Sequence, residues 1–305
     1  MKIPSTKFEL SSRRDFIYTS ALALSSLVAG VKAAELVPET KPIIAFSKPF
    51  QHLGPDDTAA FVENIGWSGI ECPVRSKGHI DPVRVFDDLP RFLDAFKRRN
   101  LSIPILVTDI TDIHQPHAEQ VLRAASQLGI KIIRLGPTRY VPDKSIETQI
   151  TEISKRLKDI GDACAELNIK AGVENHEGAT MFAAPIWDAY TAIKTAHSNN
   201  LGFCFDIGHA TIEGGVSWPT QARIVEPYLL SVYVKDFTWI KGPKGWKPKW
   251  CNLGEGMVDS GYVKHLQKIG FNGPLCQHHE YVLGDQESMT KHMKHDLKVL
   301  RTWLA

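Results

Sequence analysis

The stretch Phe203-Cys204-Phe205-Asp206-Ile207-Gly208-His209 joins an apolar run to a carboxylate and, three residues later, an imidazole. A carboxylate delivered by a buried strand is costly unless it is paired, hydrogen-bonded or on a metal. The plainer role for Asp206 is to cap the helix that follows, with His209 bonded to backbone. Three other apolar runs also end in acids, at Glu71, Glu174 and Glu280. Asp109 and the pair Lys235-Asp236 stand at two further run ends. If these ends converge, the acids repel one another unless a cation or protons intervene. Glu174, Asp206 and Glu280 offer hard oxygen ligands, and His176, His209 and His278 offer nitrogen nearby. That donor mix suits Mn²⁺ or Mg²⁺, with Zn²⁺ or Co²⁺ as alternatives, and argues against a thiolate site.

The runs alternate with helix-like segments. Strands are expected at 42–46, 69–72, 102–107, 130–135, 170–174, 201–206, 230–235 and 274–280, and the internal Pro104 weakens the third. Helical spacing of apolar residues follows most of them, as at Phe86, Leu89, Leu93 and Phe96, and Gly129 suits the end of a helix over 115–128. Residues 237–258, rich in Gly, Pro, Lys and Trp, read as one long loop. Eight strands each followed by a helix imply an α/β fold, a single-domain (β/α)8 TIM barrel. A doubly wound open sheet would place a Gly-rich phosphate turn after the first strand, and Phe46-Ser47-Lys48-Pro49-Phe50 is not one. In a barrel all eight C-terminal strand ends meet at one face, so the acids above converge there.

The N-terminus carries a different signal. Ser12-Arg13-Arg14-Asp15-Phe16-Ile17 precedes an Ala/Ser-rich apolar segment ending at Val31-Lys32-Ala33. This order is that of a twin-arginine signal peptide over residues 1–33, cleaved near Ala33, which directs a folded protein to the periplasm or beyond. The segment is too short and too rich in Ser and Gly for a membrane anchor. Residues 1–33 hold five of the 36 Lys/Arg and two of the 34 Asp/Glu, which leaves 31 against 32 in residues 34–305. A near-neutral chain without a basic stripe is a poor partner for nucleic acid or anionic membrane. Five cysteines without C-x-x-C spacing argue against a complete disulfide framework.

Five motifs in order carry a family resemblance: Gly172-Val173-Glu174-Asn175-His176, Phe205-Asp206-Ile207-Gly208-His209, Val234-Lys235-Asp236-Phe237, Leu253-Gly254-Glu255-Gly256 and His279-Glu280-Tyr281. Together they resemble the sugar phosphate isomerase/epimerase family, xylose-isomerase-like barrels that include ketose 3-epimerases and inosose dehydratases. The resemblance implies that Glu174 and Glu280 bind a divalent metal and exchange the substrate proton, that Asp206 is a further ligand, and that His209 contacts substrate. The family's fourth ligand is commonly a His two residues before the Lys-Asp pair, where this chain has Tyr233. His209 in the ligand role, water, or weak metal binding are the ways to fill that gap.

Such a site polarises a substrate carbonyl on the metal and stabilises an enediolate while one carboxylate removes the adjacent proton and the other returns it. Lys235 either holds the developing oxyanion or pairs with Asp236 or a neighbouring acid. Glu71 and His176 are further candidate substrate contacts at the mouth. Trp239, Trp246 and Trp250 offer ring faces to a sugar, or anchor their own loop, or form a subunit interface in a homo-oligomer. Export makes a phosphorylated substrate a poor guess, so the leading expectation is a sugar isomerase or epimerase acting on an unphosphorylated sugar or keto-sugar. A lyase that cleaves keto-glycosides by β-elimination is the second, and a non-catalytic carbohydrate-binding barrel the third. A phosphodiesterase of the abasic-site endonuclease type would want more His ligands and a basic surface.

Overall fold

The computed structural model describes residues 42–305; the expected leader over residues 1–33 lies outside them. Eight parallel strands close into a barrel: β1 (Ile43–Phe46), β2 (Gly69–Pro73), β3 (Ser102–Val107), β4 (Ile132–Arg134), β5 (Lys170–Glu174), β6 (Leu201–Asp206), β7 (Leu229–Val234) and, last in the chain, β10 (Leu275–Gln277). Helices connect them: α1 (Pro55–Ile65), α2 (Val85–Lys97), α3 (Ala118–Gln127), α4 (Ile146–Glu166), α5 (Trp187–Ala196), α6 (Ile207–Gly214) with α7 (Trp218–Val225), α8 (Gly261–Lys268) and the closing α9 (Gln286–Leu304).

Strand alternation sets two apolar layers. Ile44, Phe46, Ile105, Val107, Cys204, Tyr233 and Cys276 point inward and fill the barrel, while the other strand faces pack against the helices in a larger core. Pro104 is accommodated because the β2–β3 register shifts between Gly69 and Glu71, a bulge beside the residue that cannot donate to the ladder. All five cysteines are free thiols. No helix among the described residues is long and apolar enough to cross a membrane.

The segment expected as one loop is not a loop. β8 (Asp236–Gly242) and β9 (Gly245–Cys251) form an antiparallel hairpin closed by Pro243 and Lys244. Pro248 within β9 and the alternating Lys and Trp residues masked the strand pattern, because a two-stranded ribbon needs no continuous apolar face. The last barrel strand is also shorter than expected: the His278 N–H still donates to the Val234 carbonyl at 3.1 Å, and His279 and Glu280 follow beyond the strand.

Candidate active site

Asp206 occupies both of the roles open to it in the sequence. Its Oδ1 accepts from the His209 backbone N–H at 2.9 Å and caps α6. Its Oδ2 is buried without a hydrogen bond, and its charge is met by the Lys235 ammonium 3.2 Å away. The Asn175 side chain fixes the strand end by accepting from the Asp206 N–H at 2.7 Å and donating to its carbonyl at 2.9 Å. Gly208 is needed immediately after it, because a Cβ there would stand 2.9 Å from the Lys235 Cγ and 3.1 Å from the Asp206 Oδ1.

Around Asp206 the barrel mouth gathers the other expected residues. The Nδ1 of His278 lies 3.9 Å from Glu174 Oε1, 3.9 Å from Asp206 Oδ2 and 4.0 Å from Glu280 Oε1, and has no hydrogen-bond partner of its own. Donors bonded to one divalent ion at about 2.0–2.2 Å stand roughly 3–4 Å apart, and Glu174 and Asp206 meet that spacing with His278 Nδ1, while Glu280 stands beside them on the Lys235 ammonium. Glu174, Asp206 and His278 each offer an atom within 4.8 Å of the others, and Glu174, His176 and His209 form a second such group.

Two cations balance part of the acidic charge. Arg134, at the inward end of β4, holds Glu174 Oε2 at 2.6 Å and reaches Glu71 Oε1 at 3.5 Å. Burial is the largest influence and works against ionisation of both acids, but Arg134 and His278, helped by the Tyr233 hydrogen bond at Glu71 and by His176 and Lys235 at Glu174, together outweigh it and keep both pKa values below the usual carboxylate range. Lys235 points into the barrel, with its ammonium 2.9 Å from Glu280 Oε1 and 3.2 Å from Asp206 Oδ2. Burial alone would discharge it, yet Asp206 and Glu280 raise its pKa above the usual lysine value, and Lys235 in turn holds Glu280 well below the usual carboxylate range. Four acids, Glu71, Glu174, Asp206 and Glu280, thus share two paired cations, Arg134 and Lys235.

Lys235 does not pair with Asp236. That carboxylate is folded into the hairpin base, where it accepts from the backbone N–H groups of Phe237, Gly254, Gly256 and Val258 at 2.9–3.0 Å. Gly256 makes this cradle feasible, since a Cβ there would lie 2.2 Å from Asp236 Oδ1.

A buried layer beneath the mouth aims His278. Glu71 has no solvent exposure and accepts hydrogen bonds from the Tyr233 hydroxyl and from His278 Nε2, the latter at 3.2 Å. An ionised Glu71 requires the proton on Nε2 and leaves the Nδ1 lone pair facing Glu174, Asp206 and Glu280. Tyr233 stacks on the His278 ring at 4.3 Å between centroids and completes the support. Glu71 therefore lies below the site, engaged on both oxygens, rather than open at the mouth.

His209 is held differently. Its Nδ1 meets Glu177, and its Nε2 lies 2.6 Å from the Lys235 ammonium, which has only protons to offer and makes Nε2 the acceptor. His209 stacks on His176 at 5.2 Å, and His176 Nε2 lies 3.3 Å from Glu174 Oε2. Of the hairpin tryptophans, Trp250 reaches the site: its ring covers the Lys235 ammonium at 4.4 Å and meets His209 edge-on. Trp239 instead sits on β8, 39% exposed against Phe237.

Sequence reasoning missed Arg134, Glu177 and the orienting role of Glu71 and Tyr233. Arg134 left a signal: a strand-end cation two residues after Ile132, on the inward face of the fourth strand. Glu177 left none, because it lies in the segment after β5 and meets His209 only through the fold.

The fold and the mouth define a (β/α)8 barrel with an acid-rich site at the C-terminal ends of its strands. The chain belongs to the xylose isomerase-like TIM barrel family, whose model matches residues 59–303. No curated protein sequence matches it. Among solved structures, it is similar to a xylose isomerase-like TIM barrel protein from Mycobacterium smegmatis in complex with magnesium (TM-score 0.62, 18% identity, covering 87% of this chain and 98% of that one). It is also similar to 3-keto-D-glucoside 4-epimerase from E. coli (TM-score 0.67, 15% identity, 86% and 99% covered). D-psicose 3-epimerase from Clostridium cellulolyticum superposes with a TM-score of 0.67 at 13% identity, over 87% of this chain and 99% of that one.

Proposed function

We propose that this chain is a divalent-metal-dependent sugar epimerase or isomerase that acts on an unphosphorylated sugar or keto-sugar outside the cytoplasm. The observation that carries this reading is the convergence of Glu174, Asp206 and Glu280 on the unpartnered Nδ1 of His278. In this reading His278, not His209, is the nitrogen ligand, because the Lys235 ammonium and Glu177 engage both nitrogens of His209. Mn²⁺ or Mg²⁺ suits three carboxylates and one imidazole, and Zn²⁺ or Co²⁺ would fit the same donors.

Glu174 and Glu280 exchange the proton beside the substrate carbonyl. They come from β5 and from the segment after β10, with β6 and β7 between them in the barrel, so they approach a bound sugar from separated strands. Arg134 and Lys235 keep both in the carboxylate form a general base requires, at the expense of proton affinity. Glu174, Asp206, Glu280 and His278 would hold the divalent ion, which when bound would supply the Lewis-acid polarisation that so weak a base needs. Lys235, charged and within reach of both Asp206 and Glu280, stabilises negative charge developing on a substrate oxygen. The printed activities of the E. coli and Clostridium neighbours, on a 3-keto-glucoside and on D-psicose, support the same substrate class.

The test is proton exchange. Mn²⁺-loaded protein is incubated in deuterated water with 3-keto-glucose, fructose and psicose, and deuterium beside the carbonyl is followed by NMR. Exchange that disappears in Glu174→Gln and in Glu280→Gln supports the reading. Exchange at the wild-type rate in both variants, or none with any of these sugars, overturns it.

A further inference from the structure

A groove leaves the barrel mouth between the β8–β9 hairpin and the segment after β10. Its volume is about 550 Å³, and Lys247, Lys249, Trp250, Glu280, Tyr281 and Val282 line it. Small-molecule sites commonly enclose about 300–1,000 Å³. The groove shares two lining residues with the candidate active site. Glu280 carries the carboxylate that bonds Lys235, and Trp250 covers that same ammonium.

The wall of this groove is braced from behind. The Tyr281 hydroxyl donates to Asp296 Oδ2 at 2.7 Å, and the Asn252 amide donates to the Tyr281 hydroxyl at 3.0 Å and to Asp296 Oδ1 at 2.9 Å. His292 Nδ1 lies 3.1 Å from Asn252 Oδ1 and its ring meets Tyr281 edge-on. The end of the hairpin, the segment after β10 and α9 are thereby locked together, so the ring of Tyr281 is fixed before any ligand arrives. Val282 lies beside it with 92% of its surface exposed. The groove thus offers aromatic and aliphatic surface with lysines at the rim, a lining suited to the flat face of a ring and its hydroxyls.

We infer that this groove binds a ring-bearing substituent on the reacting sugar, so that the substrate class is a glycoside rather than a free monosaccharide. The inference rests on the epimerase or isomerase reading of the same mouth. The sugar that meets Glu174, Asp206, His278 and Glu280 passes its substituent along Trp250 onto Tyr281 and Val282. The substituent is either a second sugar or an aromatic aglycone; the two share the ring face that the groove recognises.

Binding separates these cases without turnover. Saturation-transfer NMR on the Mg²⁺-loaded protein compares methyl glucosides with 4-nitrophenyl glucosides and with maltose and cellobiose. We expect the ring-bearing ligands to bind about tenfold more tightly than the methyl glucosides, a gap of the size aromatic contacts supply. A gain for the nitrophenyl compounds alone identifies an aromatic aglycone, and a gain for the disaccharides alone identifies a second sugar. Val282→Asp should erase the advantage while methyl glucoside binding and metal content stay unchanged; the site is exposed, so the fold tolerates it. Equal binding of methyl and ring-bearing glucosides, or an advantage that survives in both Val282→Asp and Lys249→Glu, overturns the inference. Failure of proton exchange would sink the enzyme reading while leaving a binding advantage measurable, so the two failures are distinguishable.

Discussion

Replacing Glu71 with Gln tests whether a residue outside the donor set governs metal binding. Glu71 is completely buried, and its two oxygens serve Tyr233, His278 Nε2 at 3.2 Å and Arg134 at 3.5 Å. Gln keeps the volume but presents one acceptor and one donor. Whichever way the amide turns, either His278 or Tyr233 faces an N–H group. Tyr233 could rotate its hydroxyl to accept, but Arg134 beside the same oxygen cannot, so the amide oxygen stays toward Arg134 and Tyr233 and the N–H group faces His278, which can accept only by moving its proton to Nδ1, the atom directed at Glu174 and Asp206. Loss of such an orienting carboxylate commonly costs 10–100-fold in metal affinity, about 1.4–2.8 kcal/mol. Arg134 retains its 2.6 Å bond to Glu174, so the stability loss should be about 1–3 kcal/mol, below the 3–5 kcal/mol of a charge left wholly unpaired. At roughly 2–4 °C per kcal/mol for a domain of this size, Tm should fall by about 2–12 °C. Titration calorimetry with Mn²⁺, with circular dichroism as the fold check, reads both quantities. A folded Glu71→Gln variant that binds Mn²⁺ within about twofold of wild type would refute the claim that Glu71 sets the His278 tautomer.

Other outcomes follow from the same geometry. Tyr233→Phe keeps the Glu71–His278 bond and should weaken Mn²⁺ by less than about tenfold, measured in the same titration. Glu174→Gln and Glu280→Gln should each lower kcat by about 10²–10⁴, the usual contribution of a positioned base, in the exchange assay once a substrate is in hand. Gly256→Ala drives a Cβ into Asp236 and should lower Tm by about 4–12 °C, a loss of about 2–3 kcal/mol; an unchanged melting curve would contradict the cradle.

Burial beside Phe50 and Phe92 pushes His79 down to about 4, so the folded state holds it neutral. Between its ordinary value near 6.5 and about 4 the unfolded chain binds the extra proton, so stability should drop as pH is lowered through that window and rise as pH is raised. The slope contributed by one such group is at most about 1.4 kcal/mol per pH unit. Denaturant melts of His79→Phe should be flatter there, and parallel curves would rule out this origin.

The eight-strand barrel was legible in the sequence because each strand is a short apolar run followed by a helical repeat, and both periods are local properties. The acids at the run ends were legible for the same reason: the C-terminal end of a parallel strand in a closed barrel has only one place to go. The hairpin was not legible, since its order comes from pairing β8 with β9 rather than from an apolar pattern.

Chain order alone determined that Glu174, Asp206 and Glu280 share a face, and that Tyr233 stands where the resembled family carries a histidine. It left open what takes that histidine's place, and His209, three residues past Asp206, looked nearest. Tertiary structure brought His278 to the acids and tied His209 to Lys235 and Glu177. It also laid Glu71 and Tyr233, 162 residues apart, against the same imidazole. The physical reason is that a ring nitrogen becomes a donor or an acceptor through whatever bonds the opposite nitrogen, and in a closed barrel that partner comes from a strand distant in sequence.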